Sequence, residues 1–262
     1  MIGLILGTSE GKNIISLLNE FTDNILISTA TEYGGDLLKE YHYKVINTKP
    51  LNGYELRELI ISNEVSIFVD ASHPYAVEIT TNCKNVCKDL NIPYLRYERA
   101  SVAEKYRHHK KVIFISDYES LPQEIDHIEE VKDGKSVILN TTGSRNIKKI
   151  LSLGILNRIV HRVLPSVEVM KYCIETGVKV EDIVAIKGPV GYELNKGFIR
   201  QYHAKAIILK DSGIQGGTQE KIEAALSEDI TILIIERKNE EFENIFNNET
   251  SLVEYIKEKN FY

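Results

Sequence analysis

The residues best equipped for chemistry stand where apolar runs end. Asp70-Ala-Ser-His-Pro-Tyr-Ala76 follows the buried run 65–69 and brings a carboxylate, a hydroxyl, an imidazole and a phenol within a few residues. A carboxylate at the end of a buried strand is costly unless it is hydrogen-bonded. Ser72 can cap the helix that follows, with Pro74 near its first turn. His73 carries the one side chain whose ordinary titration range spans neutral pH. A cap accounts for Ser72 and Pro74 but not for Asp70, His73 and Tyr75 together, so this turn is expected to face a ligand. Gly7-Thr-Ser-Glu-Gly11 follows the first apolar run. Its first glycine permits close backbone approach, and its hydroxyls and N–H groups suit either a helix cap or a bound phosphate. The spacing is not Gly-x-Gly-x-x-Gly. Ser28-Thr-Ala-Thr31 closes the second run. In dinucleotide folds a carboxylate there takes the ribose hydroxyls and rejects a 2′-phosphate. Here Glu32 comes slightly late, so the sequence leans away from strict NAD specificity.

The second half repeats the pattern. Thr141-Thr-Gly-Ser-Arg145 opens a helix, Arg162 precedes Leu164-Pro165, and Asp211-Ser-Gly213 runs on to Gly216-Gly217. Arginine at a helix start has the wrong sign for the macrodipole. It has the right geometry for pairing a bound carboxylate or phosphate. Taken singly, each turn is equally well explained as a cap or a solvated residue; only their convergence argues for a site. The sequence has no Gly-x-Ser-x-Gly elbow, no His-Glu-x-x-His and no Walker loop. His108-His109 has no acidic ligand pattern beside it. Such absences suit hydride transfer, in which a cofactor carries the chemistry and the protein orients it. No metal site is expected. Cys83 and Cys87 stack on one helix face but lack the second pair of a zinc site. With Cys173 they read as buried thiols of a reducing cytosol.

These turns need a scaffold that brings strand ends together. Continuous apolar runs at 2–6, 25–27, 43–46, 65–69 and 92–96 alternate with helical stretches at 51–62 and 77–90, the signature of a doubly wound parallel sheet. The stretch 96–111 is basic and broken, and links to a second unit. Strands at 112–116, 136–140, 159–163, 183–186, 206–209 and 230–235 follow, with helices at 167–176 and up to 226. Residues 198–202 read as helical or irregular. The tail after Arg237 is acidic and Asn-rich, with a helix near 252–257. The expected domains are 1–98 and 99–262. In such sheets ligands bind beyond the carboxyl ends of the strands, where the turns above fall.

Composition sets bounds. The chain has 262 residues and a formal charge of −6, which argues against a nucleic-acid partner. Its first apolar run is too short for a signal segment or a membrane span. The expected protein is a cytoplasmic monomer of α/β class. Three functions fit that frame: a nicotinamide-dependent reductase, a nucleotide-dependent transferase, and a non-enzymatic two-domain ligand-binding module.

The turns taken together resemble those of the precorrin-6A reductase family, including its cobalt-precorrin-6A branch, of corrin (vitamin B12) biosynthesis. The resemblance rests on Gly7-Thr-Ser-Glu-Gly11, Ala30-Thr-Glu-Tyr-Gly34, Asp70-Ala-Ser-His-Pro-Tyr-Ala76 and Ile92-Pro-Tyr-Leu-Arg-Tyr-Glu-Arg99. It continues through Thr141-Thr-Gly-Ser144, Arg162-Val-Leu-Pro165, Ala185-Ile-Lys-Gly-Pro189 and Lys210-Asp-Ser-Gly-x-x-Gly-Gly217, in family order over nearly the whole chain. It implies two Rossmann-like α/β domains with parallel sheets and an inter-domain active-site cleft. It also implies NADPH or NADH as cofactor and a small-molecule tetrapyrrole carrying many carboxylates as substrate. Cofactor contacts then carry to Gly7, Thr8, Ser28, Thr31, Ser72, His73 and Tyr75. Substrate contacts carry to Arg96, Arg99, Thr142, Arg145, Arg162 and Ser212. Asp211, His73 and water are the candidate proton donors.

Overall fold

Runs that are apolar at every position become strands buried on both faces. The computed structural model describes residues 1–7, 11–237 and 241–260. It opens with β1 (Ile2–Leu6), α1 (Gly11–Leu18), β2 (Ile25–Ser28), α2 (Glu32–Asp36), β3 (Val45–Asn47), α3 (Gly53–Ser62), β4 (Ile67–Ala71), α4 (Val77–Asp89) and β5 (Tyr94–Tyr97). Side chains alternate across this sheet. Ile2, Leu4 and Leu6 pack one way, with Ile14, Ile15 and Leu18 of α1. Ile5, Leu26 and Phe68 pack the other way, against Leu56 and Ile60 of α3 and Cys83, Val86 and Cys87 of α4.

The second stretch comprises β6 (Val112–Ile115), α5 (Leu121–Asp126), β7 (Val137–Asn140), α6 (Ile147–Ser152), β8 (Arg158–Val163) and α7 (Val167–Glu175). It continues with β9 (Ile183–Ala185), α8 (Tyr192–Gln201), β10 (Ala204–Lys210), α9 (Thr218–Ser227) and β11 (Thr231–Ile235). Ile207, Leu209, Ile232 and Ile234 form its core with Ile199 of α8 and Ile222, Ala224 and Ala225 of α9. The chain ends in β12 (Ile245–Phe246) and α10 (Glu249–Glu258). No helix among the described residues is long and apolar enough to cross a membrane.

Both sheets have six strands, ordered β12-β5-β4-β1-β2-β3 and β6-β11-β10-β7-β8-β9, and the pairings are parallel. In the first sheet the strand order reverses between β1 and β4. In the second it reverses between β7 and β10. Each reversal opens a crevice at the carboxyl ends of two central strands, the place where open α/β sheets bind ligands.

The units are Met1–Ala100 with Lys238–Tyr262, and Ser101–Arg237. Residues 99–262 therefore do not form one unit. Their last segment returns to the first sheet, where Ile245 and Phe246 pair with Arg96 and Tyr97 of β5. Leu252, Val253 and Ile256 of α10 complete the core beside α1. The physical reason is the edge: β5 and the outer face of α1 need covering, and a two-residue strand with an amphipathic helix covers both. Two smaller expectations also change. Ser72 does not cap the next helix. That helix starts at Val77, and its N-cap Ala76 makes no side-chain bond. The helix after Thr141–Arg145 starts only at Ile147.

Candidate functional site

The turn after β4 is built from beneath. Asp70 is fully buried, and its Oδ1 accepts from the Ser72 N–H at 2.9 Å, an Asx turn that bends the chain out of the strand. Tyr94 Oη donates to Asp70 Oδ2 at 2.9 Å, and Arg96 Nη1 lies 2.9 Å from Oδ1. The same Nη1 reaches Asp70 O at 3.3 Å and Ser72 Oγ at 3.2 Å. Ser72 Oγ also meets Thr80 Oγ1 at 3.2 Å. Those two contacts occupy the Ser72 hydroxyl, which explains why it is not a cap. Burial, reinforced by Asp70, pushes the Tyr94 phenol far up. The same causes raise the Cys87 thiol to about 12, and Cys83 rises too. These thiols are therefore not nucleophiles at neutral pH.

Above that base, His73 and Tyr75 are half-buried. The Tyr75 N–H donates to His73 Nδ1 at 3.2 Å, and the two rings stand 5.8 Å apart. An accepting Nδ1 assigns the neutral ring its proton at Nε2. Across the crevice, the Gly7 N–H donates to Ala71 O at 3.0 Å. A Cβ on Gly7 would sit 3.3 Å from that oxygen, so glycine keeps the two strand ends close. Thr8 lies outside the described residues. At the end of β2, Ser28 is buried and its Oγ accepts from Asn47 Nδ2 at 3.0 Å. Thr31 is exposed and caps α2 by accepting from the Gly34 N–H at 3.1 Å. Gly7, Ser28, Thr31, Ser72, His73 and Tyr75 therefore share one sheet's carboxyl edge.

The second unit repeats the Asx device twice. Asn140, fully buried at the end of β7, accepts from the Thr142 N–H at 3.0 Å and the Thr142 hydroxyl at 2.8 Å. Its Nδ2 lies 3.0 Å from Nδ1 of buried His161. Burial lowers that imidazole to about 4. Asp211, just past β10, accepts from the Gly213 N–H at 3.2 Å. It also accepts from Ser101 Oγ at 2.6 Å and from the N–H groups of Val102 and Ala103 at 3.3 and 3.4 Å. Arg237 Nη2 stands 3.5 Å away. Each of these contacts presents a hydrogen to Asp211. In this arrangement its carboxylate acts as an acceptor that orders the turn. Gly217 closes the turn with φ 65°, a left-handed conformation glycine adopts without cost, and caps α9. Ser212 is held by its N–H to Thr218 Oγ1 at 3.0 Å.

Around this crevice gather cations. Arg162 Nη1 donates to Asn195 Oδ1 at 2.6 Å, and burial lowers the guanidinium to about 10. Lys221 is buried and donates to Gly216 O at 2.9 Å; burial and then Arg162 bring its ammonium down to about 7. Lys210 is lowered to about 8 by burial and by Arg145. Arg145 is exposed in the turn before α6. Tyr118 lies beneath: its Oη accepts from Asn146 Nδ2 at 3.1 Å, and Lys210 Nζ stands 5.9 Å from its ring. Thr142, Arg145, Arg162 and Ser212 are thus brought to one sheet edge. Arg96 and Arg99 are not. Both belong to the first unit and are buried, Arg96 at 1% exposure. Sequence reasoning overlooked Tyr94, Tyr118, Asn140, His161, Lys210 and Lys221. Asn140 and Lys210 had a signal, since each ends a buried apolar run as Asp70 does.

The chain has known relatives. Residues 1–257 match the family model described as "Precorrin-6x reductase CbiJ/CobK". The chain is 34% identical over 254 residues to a cobalt-precorrin-6A reductase of Methanocaldococcus jannaschii, covering 95% of each chain. It is 31% identical over 253 residues to one of Methanothermobacter thermautotrophicus, covering 95% of this chain and 81% of the other. Its fold matches the solved CobK precorrin-6A reductase with a TM-score of 0.75 at 14% identity, over 98% of this chain and 96% of that one.

Proposed function

Because this chain belongs to the precorrin-6x reductase family, we propose that it reduces one double bond of cobalt-precorrin-6A to give cobalt-precorrin-6B, using NADPH or NADH and one proton. The cobalt-bearing form is preferred because the relatives in both methanogens carry that name.

The observation that carries this reading is the unequal charge at the two strand-order reversals. In the second unit, Lys221 and Lys210 are each depressed by burial and then by a neighbouring arginine. Buried and crowded cations fit an anionic ligand with several carboxylates, which offsets their desolvation and repulsion. At the first reversal the buried Asp70 carboxylate is paired with Arg96.

The first reversal fits a nicotinamide dinucleotide. The first turn of α1 carries no acidic side chain, so its N–H groups are compatible with a pyrophosphate. Gly7 supplies close backbone approach, Ser28 and Thr31 supply hydroxyls at the end of β2, and His73 and Tyr75 supply rings. When bound, the nicotinamide supplies the hydride. Thr142, Arg145, Arg162 and Ser212 bind the macrocycle, joined by Lys210 and Lys221, and fix which carbon is presented; positioning of that kind contributes much of the rate. The proton comes from water, or from Asp211 or His73 in its protonated form.

Anaerobic incubation with cobalt-precorrin-6A and with precorrin-6A, each with NADPH or NADH, tests the proposal. Loss of reduced-nicotinamide absorbance, faster with the cobalt form, is the expected result. No oxidation in any combination rejects it.

A further inference from the structure

The sequence places Arg96 among the substrate contacts, and its surroundings assign it elsewhere. Its Nη1 lies within 3.3 Å of three oxygens: Asp70 Oδ1, the Asp70 carbonyl and Ser72 Oγ. Its Nε lies 3.5 Å from Glu98 Oε2. Its backbone N–H donates to Asn244 O at 2.9 Å, in the returning C-terminal segment. From that segment the Phe242 ring covers the guanidinium, with Cζ 5.8 Å from the ring centroid, and stands 6.2 Å from the Tyr94 ring. Lys84 steadies the cover by donating to Glu241 O at 2.9 Å. A guanidinium at 1% exposure beneath an aromatic ring is not a surface contact. It is the fixed floor of the turn that carries His73 and Tyr75.

We propose that Arg96 is a positioning residue of the dinucleotide-binding turn: by bridging Asp70 and Ser72 it holds the 70–76 backbone in its binding form, and it touches neither ligand. The proposal rests on the assignment of the dinucleotide to the first unit. Arginine suits the role because the rigid guanidinium plane fixes the directions of the Nη1 hydrogens toward these oxygens, whereas a lysine is a single flexible point charge. Tyr94 works on the same carboxylate from the other side. Its hydroxyl engages Oδ2 while Arg96 engages Oδ1, so neither oxygen is free to turn away from the Ser72 N–H.

The test uses the full chain and two separate affinities. Dissociation constants for NADPH and for the tetrapyrrole are measured for wild type, Arg96→Lys and Tyr94→Phe, together with thermal unfolding. Arg96→Lys keeps the charge beside Asp70 and loses the fixed guanidinium plane. It should weaken NADPH binding about tenfold, the cost of one imperfectly replaced charged hydrogen bond, and leave tetrapyrrole binding within about twofold. Tyr94→Phe should weaken NADPH binding in the same direction by about threefold, and it keeps the test available if the lysine variant does not fold. A loss confined to tetrapyrrole affinity would overturn the proposal in favour of direct substrate contact. A fall in unfolding temperature with both affinities unchanged would overturn it in favour of a purely structural pair. Failure of the wild-type protein to bind NADPH would overturn the cofactor assignment itself, and the variants are not needed to see that.

Discussion

Lys221 sits buried beside Arg162, and its ammonium is brought down to about 7, first by burial and then by that arginine. The consequence has opposite sign for folding and for binding. The ordinary lysine value is 10.5, so between about 7 and 10.5 the unfolded chain holds a proton that the folded chain has released. Stability from this residue therefore rises with pH across that window. A polycarboxylate ligand favours the ammonium form, so its affinity should weaken as pH rises past 7. Lys221→Met removes both effects. Replacing a buried charge by an apolar side chain of similar size is often stabilising by about 1–4 kcal/mol. The variant should melt several degrees higher at pH 7 while binding the tetrapyrrole about tenfold more weakly, the loss of one partly buried charged contact. A calorimetric melt and a titration decide it. Thr31 gives a second test. Aspartate caps a helix as well as threonine does, so Thr31→Asp should keep α2 intact. The added charge should shift the ratio of NADPH to NADH affinity about tenfold toward NADH, the effect of ~1.4 kcal/mol of repulsion against a 2′-phosphate. At this scale the sequence shows its acids and hydroxyls well, because Asp70, Thr142 and Ser212 all follow apolar runs. It hides partners that are distant along the chain. Tyr94 meets Asp70 across 24 residues, and the crowding of Lys221 by Arg162 exists only once α9 and β8 are folded.

β4, β7 and β10 share one ending: Asp70, Asn140 or Asp211 accepts the N–H two residues on. Each is a strand beside a strand-order reversal, so the device shapes the crevice walls themselves. In the middle case the acceptor is neutral and is backed by His161, whose imidazole is lowered by burial to about 4. A depressed histidine contributes its stability above its unfolded value of about 6.5. The contribution is lost as pH falls from there toward 4, because the unfolded chain takes up the proton first. The unfolding midpoint in denaturant should drop across that window by up to about 3 kcal/mol of stability. In His161→Gln this part of the pH dependence should vanish. Elements were legible where burial is complete. β1, β2 and β4 are apolar runs because both faces are covered. α5, with six residues, is too short to display a period, and β12, with two, displays none. α8 extends back to Tyr192 through a mostly polar stretch, so only its apolar end around Phe198 was visible.

At the scale of the molecule, the sixth position of each sheet is filled out of turn. β6 follows β5 in sequence but joins the second sheet, and β12 follows β11 but joins the first. Nothing in the composition of the tail announces this. An acidic, Asn-rich segment ending in a short helix reads as an appendage, and its docking depends on an edge far away along the chain. Yet Leu252, Val253 and Ile256 are buried against α1 and its neighbours. At about 1.5–3 kcal/mol for each fully buried side chain, their loss rivals the whole net stability of a domain, about 5–15 kcal/mol. A fragment of residues 1–98 should therefore lack a cooperative unfolding transition. The same fragment joined through a short linker to residues 241–262 should regain one, as circular dichroism on heating will show. This exchange also bears on the order in which the molecule is made. A ribosome delivers the amino end first, and most domains fold as they emerge. Here the first sheet waits with its β5 edge bare until all of the second unit and then the last helix have left the tunnel. An open strand edge is a site for wrong pairing. Translation therefore leaves the nascent chain exposed to aggregation for almost its full length, and every premature stop, however late, strips the first sheet of its cover first.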